Sequence, residues 1–309
     1  MGSSTLPDTD ESYFPRGRSV LRRVMNERAV GLLYGQRALM VGAMHPLAFI
    51  GTTQRSTAHD KPWKRLTHTA KMFDAVFFGT REEADKALAF THRLHERVKG
   101  TIPEAAGPWP AGSPYSAFDP ELMLWVVAPM FDSAQVLHDT LVRRLSDEER
   151  EELWQEYLLF GELFGMPRSA APASVAELDA WWEEQFASEE VFLTEEARAV
   201  GTHIAFKIPV PAHLRPGMSV AAFILAGTLP EPVREEYGIS WRRSDELAFR
   251  ALTTSVRASR RFVPSGIRRG PSAKFYELVA QTERRQLRAG KPSFEGIEER
   301  RPQRAAARS

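Results

Sequence analysis

The sequence predicts an all-α protein: one multi-helix domain of about ten helices. Three observations carry this reading. Apolar residues recur at i, i+3, i+4 and i+7 along most of the chain, the period of a helix with one buried face. Helix-start signals precede several of these runs, as at Thr80 with Glu83 and at Ser174 with Glu177. No series of alternating strands and no repeat of 20–50 residues interrupts the pattern.

The elements follow in order. Residues 1–16 are polar and read as a flexible arm. From Ser19 to Phe49 the helical spacing holds through "SVLRRVMNERAVGLLYGQRALMVGAM", with a break at His45-Pro46. "GTTQRSTAHDKP" reads as a turn region. A helix then runs from about Pro62 to Phe78 and stops at Gly79, a natural C-terminal cap. Thr80 opens the next helix, which should end before Gly100. "TIPEAAGPWPAGSPYSAFD" is a Pro/Gly-rich loop. Asp119-Pro120 starts a long helix with a kink expected at Pro129. Ser146 caps another, "SDEEREELWQEYLLFGELFGM". Further helices follow at "SVAELDAWWEEQFAS", "TEEARAVGTHIAF" and "SDELAFRALTTSVRASRRF", and a last piece lies within "SGIRRGPSAKFYELVAQTERRQL". The folded domain is expected over 17–287, with a disordered basic tail over 288–309.

Composition excludes several classes. The chain has 309 residues, enough for a substantial core, and is 43% hydrophobic and 26% charged. Its formal net charge is +1, so no overall field draws it to nucleic acid or an acidic membrane. The dispersed C-terminal arginines, without interleaved aromatics, read as a solvated tail. There is no cysteine. Disulfides, zinc-thiolate sites, iron–sulfur clusters and thiolate-bound haem therefore cannot come from this chain. No apolar run reaches membrane-spanning length and no apolar signal core opens the chain. The expected compartment is the cytoplasm, and the expected partner is a small-molecule substrate.

Two helices hold the residues that could do chemistry. In "TREEADKALAFTHRLHERVKG" a helical wheel places Ala84, Ala87, Leu88, Phe90, Thr91, Leu94 and Val98 on one arc, and His95 inside it. His92 falls at the edge of the arc, where solvent is expected. A histidine on an apolar arc is either a core residue bonded to a carbonyl or a metal or haem ligand. On the preceding helix, Arg65, His68, Thr69, Met72 and Val76 share a face. Its lower half is apolar. The upper turn either overhangs the domain edge in solvent or brings Arg65, His68 and Thr69 toward something polar bound inside. Trp125, Met123 and the Trp181-Trp182 pair read as packing. His45 reads as a helix-end residue with a buried hydrogen bond, and Glu156 as a structural carboxylate set against an arginine.

Several segments, in this order, resemble the MpaB-type oxygenase family, related to the catalytic domain of latex-clearing protein, the bacterial rubber oxygenase. They are "RALMVGAMHPLAF", "RLTHT" followed by "VFFGTREEA", "HERVKG", "YSAFDPELMLWV", "LSDEEREELWQEYLLFGELFGMP" and "LPEPVREEYGISW". The resemblance implies a globin-like all-α core around one b-type haem, bound without thioether links. It implies that His95, in the H-x-x-V-x-G segment, is the proximal iron ligand. The rubber oxygenases carry Arg-x-x-Lys-Thr on the distal side, which maps to Arg65, His68 and Thr69. His68 thus stands where they have a lysine, and it could be a sixth ligand, a distal acid/base or a hydrogen-bond partner. Arg65 and Thr69 would offer charge or hydrogen bonds to a propionate, to dioxygen or peroxide, or to the substrate. The expected function is haem-dependent oxidation of a small organic molecule, with a specialised metabolite favoured over rubber. The alternative is a non-catalytic bis-histidine haem protein, a sensor or electron-transfer module.

Overall fold

The computed structural model describes residues 11–49 and 62–291. It is about 70% helical, with 14 helices among the described residues. The helices are α1 (Val20–Met25), α2 (Arg28–Gly42), α3 (helical over 46–49), α4 (Pro62–Phe78), α5 (Arg81–His95), α6 (Pro120–Leu141), α7 (Asp147–Leu163), α8 (Val175–Ala187), α9 (Glu195–Phe206), α10 (Arg215–Thr228), α11 (Glu231–Glu236), α12 (Arg243–Ser259), α13 (Ser265–Arg268) and α14 (Ala273–Arg288). The all-α class is as expected. The helix count is higher because short helices such as α1 and α13 fall within stretches read as one piece.

Helix starts follow the capping chemistry closely. Thr80 and Ser146 each accept a hydrogen bond from the backbone of the residue three on, and Glu83 and Glu149 return one, so both are complete capping boxes. The Asp119 carboxylate accepts from the amides of Glu121 and Leu122 ahead of α6, with Pro120 at the first helical position. That helix continues through Pro129 to Leu141 as one element. The first helical stretch is divided at Asn26, where α1 ends and α2 begins two residues on.

The expected arm of residues 1–16 is shorter than its sequence suggests. Phe14 is fully buried against Phe77, and its carbonyl accepts from the Arg22 guanidinium. Burial of one aromatic ring is enough to hold a polar segment down. Residues 1–10, the turn region at 50–61 and the tail beyond Lys291 lie outside the described residues. Part of the loop after α5 is also more ordered than a loop. Lys99–Thr101 pairs antiparallel with Pro114–Ser116 as strands β1 and β2, with Gly100 opposite Tyr115.

The core gathers along α2, α6 and α7, with Met40, Trp125, Phe131, Leu137, Trp154 and Tyr157 all buried. Arg37 is among the charged side chains buried with it. Arg37 on α2 pairs with Asp132 on α6 at 2.5 Å, bonds to Ser133 Oγ at 3.0 Å, and donates twice to the Thr228 carbonyl at the end of α10. These bonds satisfy the buried guanidinium and pin three helices together. Glu156 has a structural role: its carboxylate accepts from the Leu21 amide at 2.6 Å, at the open end of α1.

Candidate active site

The residues singled out from the sequence lie on α4 and α5, which the turn at Gly79 sets side by side. A Cβ at Gly79 would stand 2.5 Å from the Ala75 carbonyl, so only glycine fits where one helix closes and the next opens. One face of α4 is spent on α14. The Thr67 hydroxyl reaches the Trp63 and Tyr276 carbonyls at 2.8 and 2.9 Å, and the Asp74 carboxylate accepts from the Ala273 amide at 3.1 Å. Arg65 lies on the face turned toward α5, close enough that its charge acts on His95. Arg65 remains accessible to solvent, yet surrounding protein desolvates it and lowers its pKa.

The wheel of α5 is only partly as predicted. Ala84, Leu88 and Thr91 are buried, and His95 continues their line as a half-buried residue. Phe90 and Leu94, placed on the buried arc by periodicity, are 54% and 45% exposed. The helix lies at the domain surface and packs on a narrow stripe, narrower than its apolar arc. His92 is not the solvated residue expected. It is half-buried, its Nε2 is 3.2 Å from the Leu163 carbonyl, and its ring is 5.6 Å from that of Phe118. Since a carbonyl can only accept, Nε2 of His92 carries the proton.

His95 sits in an aromatic setting. Its ring is 6.0 Å from Phe118, edge to face, and 6.4 Å from Phe164. The ribbon β1–β2 folds back after α5 and delivers Phe118. Phe164 comes from the end of α7, where Gly165 takes a left-handed φ of +98° beside His92. Burial lowers the His95 pKa first, and the neighbouring His92 and Arg65 lower it further. The imidazole is therefore held neutral. Its Nδ1 is buried with no hydrogen-bond partner, so packing rather than an acceptor fixes the ring. Nε2 is the nitrogen that can meet a ligand.

Thr69 is half-buried, and its hydroxyl donates 3.3 Å back to the Arg65 carbonyl within α4. His68 is exposed, one turn beyond Arg65. The structure thus joins His95 and Arg65 electrostatically and surrounds His95 with His92, Phe118 and Phe164. The last two escape sequence reasoning because they come from a loop ribbon and a helix end far along the chain. Among the described residues, no three His, Asp or Glu side chains form a metal-binding group.

This is a helical catalytic domain of the oxygenase class. Residues 22–258 match the family described as ER-bound oxygenase mpaB/B'/rubber oxygenase, catalytic domain, and the chain belongs to that family. Two mycobacterial proteins are similar to it: Uncharacterized protein Rv2237 of Mycobacterium tuberculosis and Uncharacterized protein Mb2261 of Mycobacterium bovis. Each is 26% identical over 209 residues, covering 66% of this chain and 76% of the relative. No solved structure gives a significant match. No helix among the described residues is long and apolar enough to cross a membrane.

Proposed function

We propose that this chain is a b-type haem-dependent oxygenase or oxidase that uses dioxygen or peroxide on a small organic substrate. The observation that carries the reading is the neutral, half-buried imidazole of His95, walled by Phe118 and Phe164 within the electrostatic reach of Arg65. A haem brings four ring nitrogens of its own, so one histidine suffices to hold it, and an apolar aromatic wall suits a porphyrin face. The absence of cysteine fits a group bound without covalent links. Bound iron would supply the activation of oxygen or peroxide.

The rest falls to the chain. His95 would hold the iron, and its neutral form is favoured by burial and by the charge of Arg65. Arg65 would bind an anionic or developing negative oxygen, a propionate or a substrate oxygen. His68 and Thr69, on the same helix, would act with it on the side of the group opposite His95. Thr69 accepts a hydrogen bond while its own proton stays on the Arg65 carbonyl. An amphipathic specialised metabolite fits this setting better than a long polymer.

The test is direct. Protein from haem-supplied cells should show a Soret band and a b-type pyridine haemochrome. His95→Ala should lose the haem or shift its spectrum strongly, and His92→Ala should keep it. A colourless protein that gains no Soret band on titration with hemin would end this reading.

A further inference from the structure

A second site lies away from α5. A cavity of about 580 Å³ opens between the end of α9, the start of α10 and the first turn of α4. Trp63, Phe206 and Met218 give it apolar walls, and His203, Lys207 and Arg215 give it polar ones. No acidic side chain is among its described lining residues, and none of Arg65, His68, Thr69 or His95 lines it. It belongs to the other side of α4, where Trp63 shares the α14-facing line with Thr67.

Three features point to a ligand. Lys207 and Arg215 are both exposed, and neither has an ion-pair partner among the described residues. Two like charges held at one mouth repel each other until an anion joins them. No side chain caps the N-terminus of α10, whose first residue is Arg215, so its positive end adds to the same field. The Trp63 indole Nε1 is buried with no hydrogen-bond partner, a cost that a polar atom within the cavity could relieve. His203 contributes no charge, since burial and the nearby Lys207 bring its pKa down to about 4.

We infer that this cavity binds an amphipathic organic anion, with a carboxylate head between Lys207 and Arg215 and an apolar body between Trp63, Phe206 and Met218. The charges alone would hold any small anion weakly. The apolar walls select one that carries a hydrocarbon or aromatic body. The site is independent of the haem reading, because it shares no residue with it.

Calorimetric titration of the haem-free protein tests it, with decanoate, 1-decanol and acetate as probes. Decanoate should saturate a single site. 1-Decanol should bind at least about tenfold more weakly, and acetate should give no saturable heat. The double variant Lys207→Gln/Arg215→Gln should weaken decanoate at least about tenfold and leave 1-decanol unchanged. Both positions are exposed, so thermal melting should match wild type. Ala222→Trp, on the cavity wall, should block decanoate by filling its space. No saturable decanoate binding, or equal binding by the double variant, would overturn the inference. Displacement of decanoate by one equivalent of hemin would also overturn it, by assigning the cavity to the porphyrin.

Discussion

His95 and Arg65 stand on successive helices, and the arginine's charge helps keep the histidine uncharged. A cation near an imidazole disfavours a second positive charge, and burial acts in the same direction. A neutral imidazole is the form that binds iron. Arg65 therefore helps keep His95 in the form that the proposed iron-binding role requires.

Replacing Arg65 with Leu should raise the His95 pKa, because one of the forces lowering it is gone. Protons then compete with iron at a higher pH. The acid limb of hemin binding should move upward in the variant, and the His95 imidazole resonances should titrate higher by NMR. An unchanged titration would mean that Arg65 does not act on His95 in solution.

His68 lies one turn beyond Arg65 and is exposed. His68→Leu should leave hemin loading intact and change the rate at which cyanide or imidazole reaches the ferric iron. If His68 ligates, the resting spectrum should pass from low-spin to high-spin. If it serves as an acid/base, turnover should fall roughly 10²–10⁴-fold with little spectral change. Wild-type spectrum, ligand-binding rates and turnover together would place His68 outside the site.

The fold class was legible because helical periodicity and capping residues act locally: Thr80, Ser146 and Asp119 each start a helix through neighbours within three residues. The pairing of α4 with α5 was legible for the same reason, since only a glycine turn separates them. What sequence could not show is depth. Phe90 and Leu94 have the right period but are exposed, because no helix among the described residues covers that side of α5. His92 has the right period for exposure but is drawn in by the Leu163 carbonyl, 71 residues away. Phe118 and Phe164 reach His95 through contacts between distant elements, and no local spacing encodes them.

Arg37 should be the most costly charge to remove. Its bonds to Asp132, Ser133 and the Thr228 carbonyl link α2, α6 and α10, and truncation leaves their acceptors partly unpaired in the core. Arg37→Ala should lower stability by about 3–5 kcal/mol, measured by urea unfolding. Glu82 and Lys86 form a fully exposed pair on α5, so Lys86→Ala should leave the unfolding midpoint nearly unchanged. Equal losses from the two variants would mean that the Arg37 cluster does not tie the helices together.

Stability should fall in mild acid; two almost inaccessible histidines lead the fall, and the less buried His203 adds to it. Burial is the main force bringing His45 and His138 from 6.5 down to about 4. Each is almost inaccessible, His45 between Trp109 and Trp125 and His138 on α6. The folded protein holds both neutral while the unfolded chain charges them. Their contribution is complete above pH 6.5 and is lost as the pH falls from 6.5 toward 4. At the lower limit the loss is roughly 3 kcal/mol per histidine. Asp74 works the other way. Burial raises its carboxyl to about 6, so the folded state takes up a proton there sooner than the unfolded chain and regains stability between pH 6 and 4. The histidine losses outweigh this gain. The urea midpoint should be flat from pH 8 to 7 and should drop below pH 6.5. His138→Gln should reduce that drop, because glutamine carries no charge at any pH. Asp74→Asn should steepen it, because the opposing proton uptake is gone. A midpoint that stays level from pH 7 to 4.5 in the wild-type protein would show that neither histidine is held neutral by the fold.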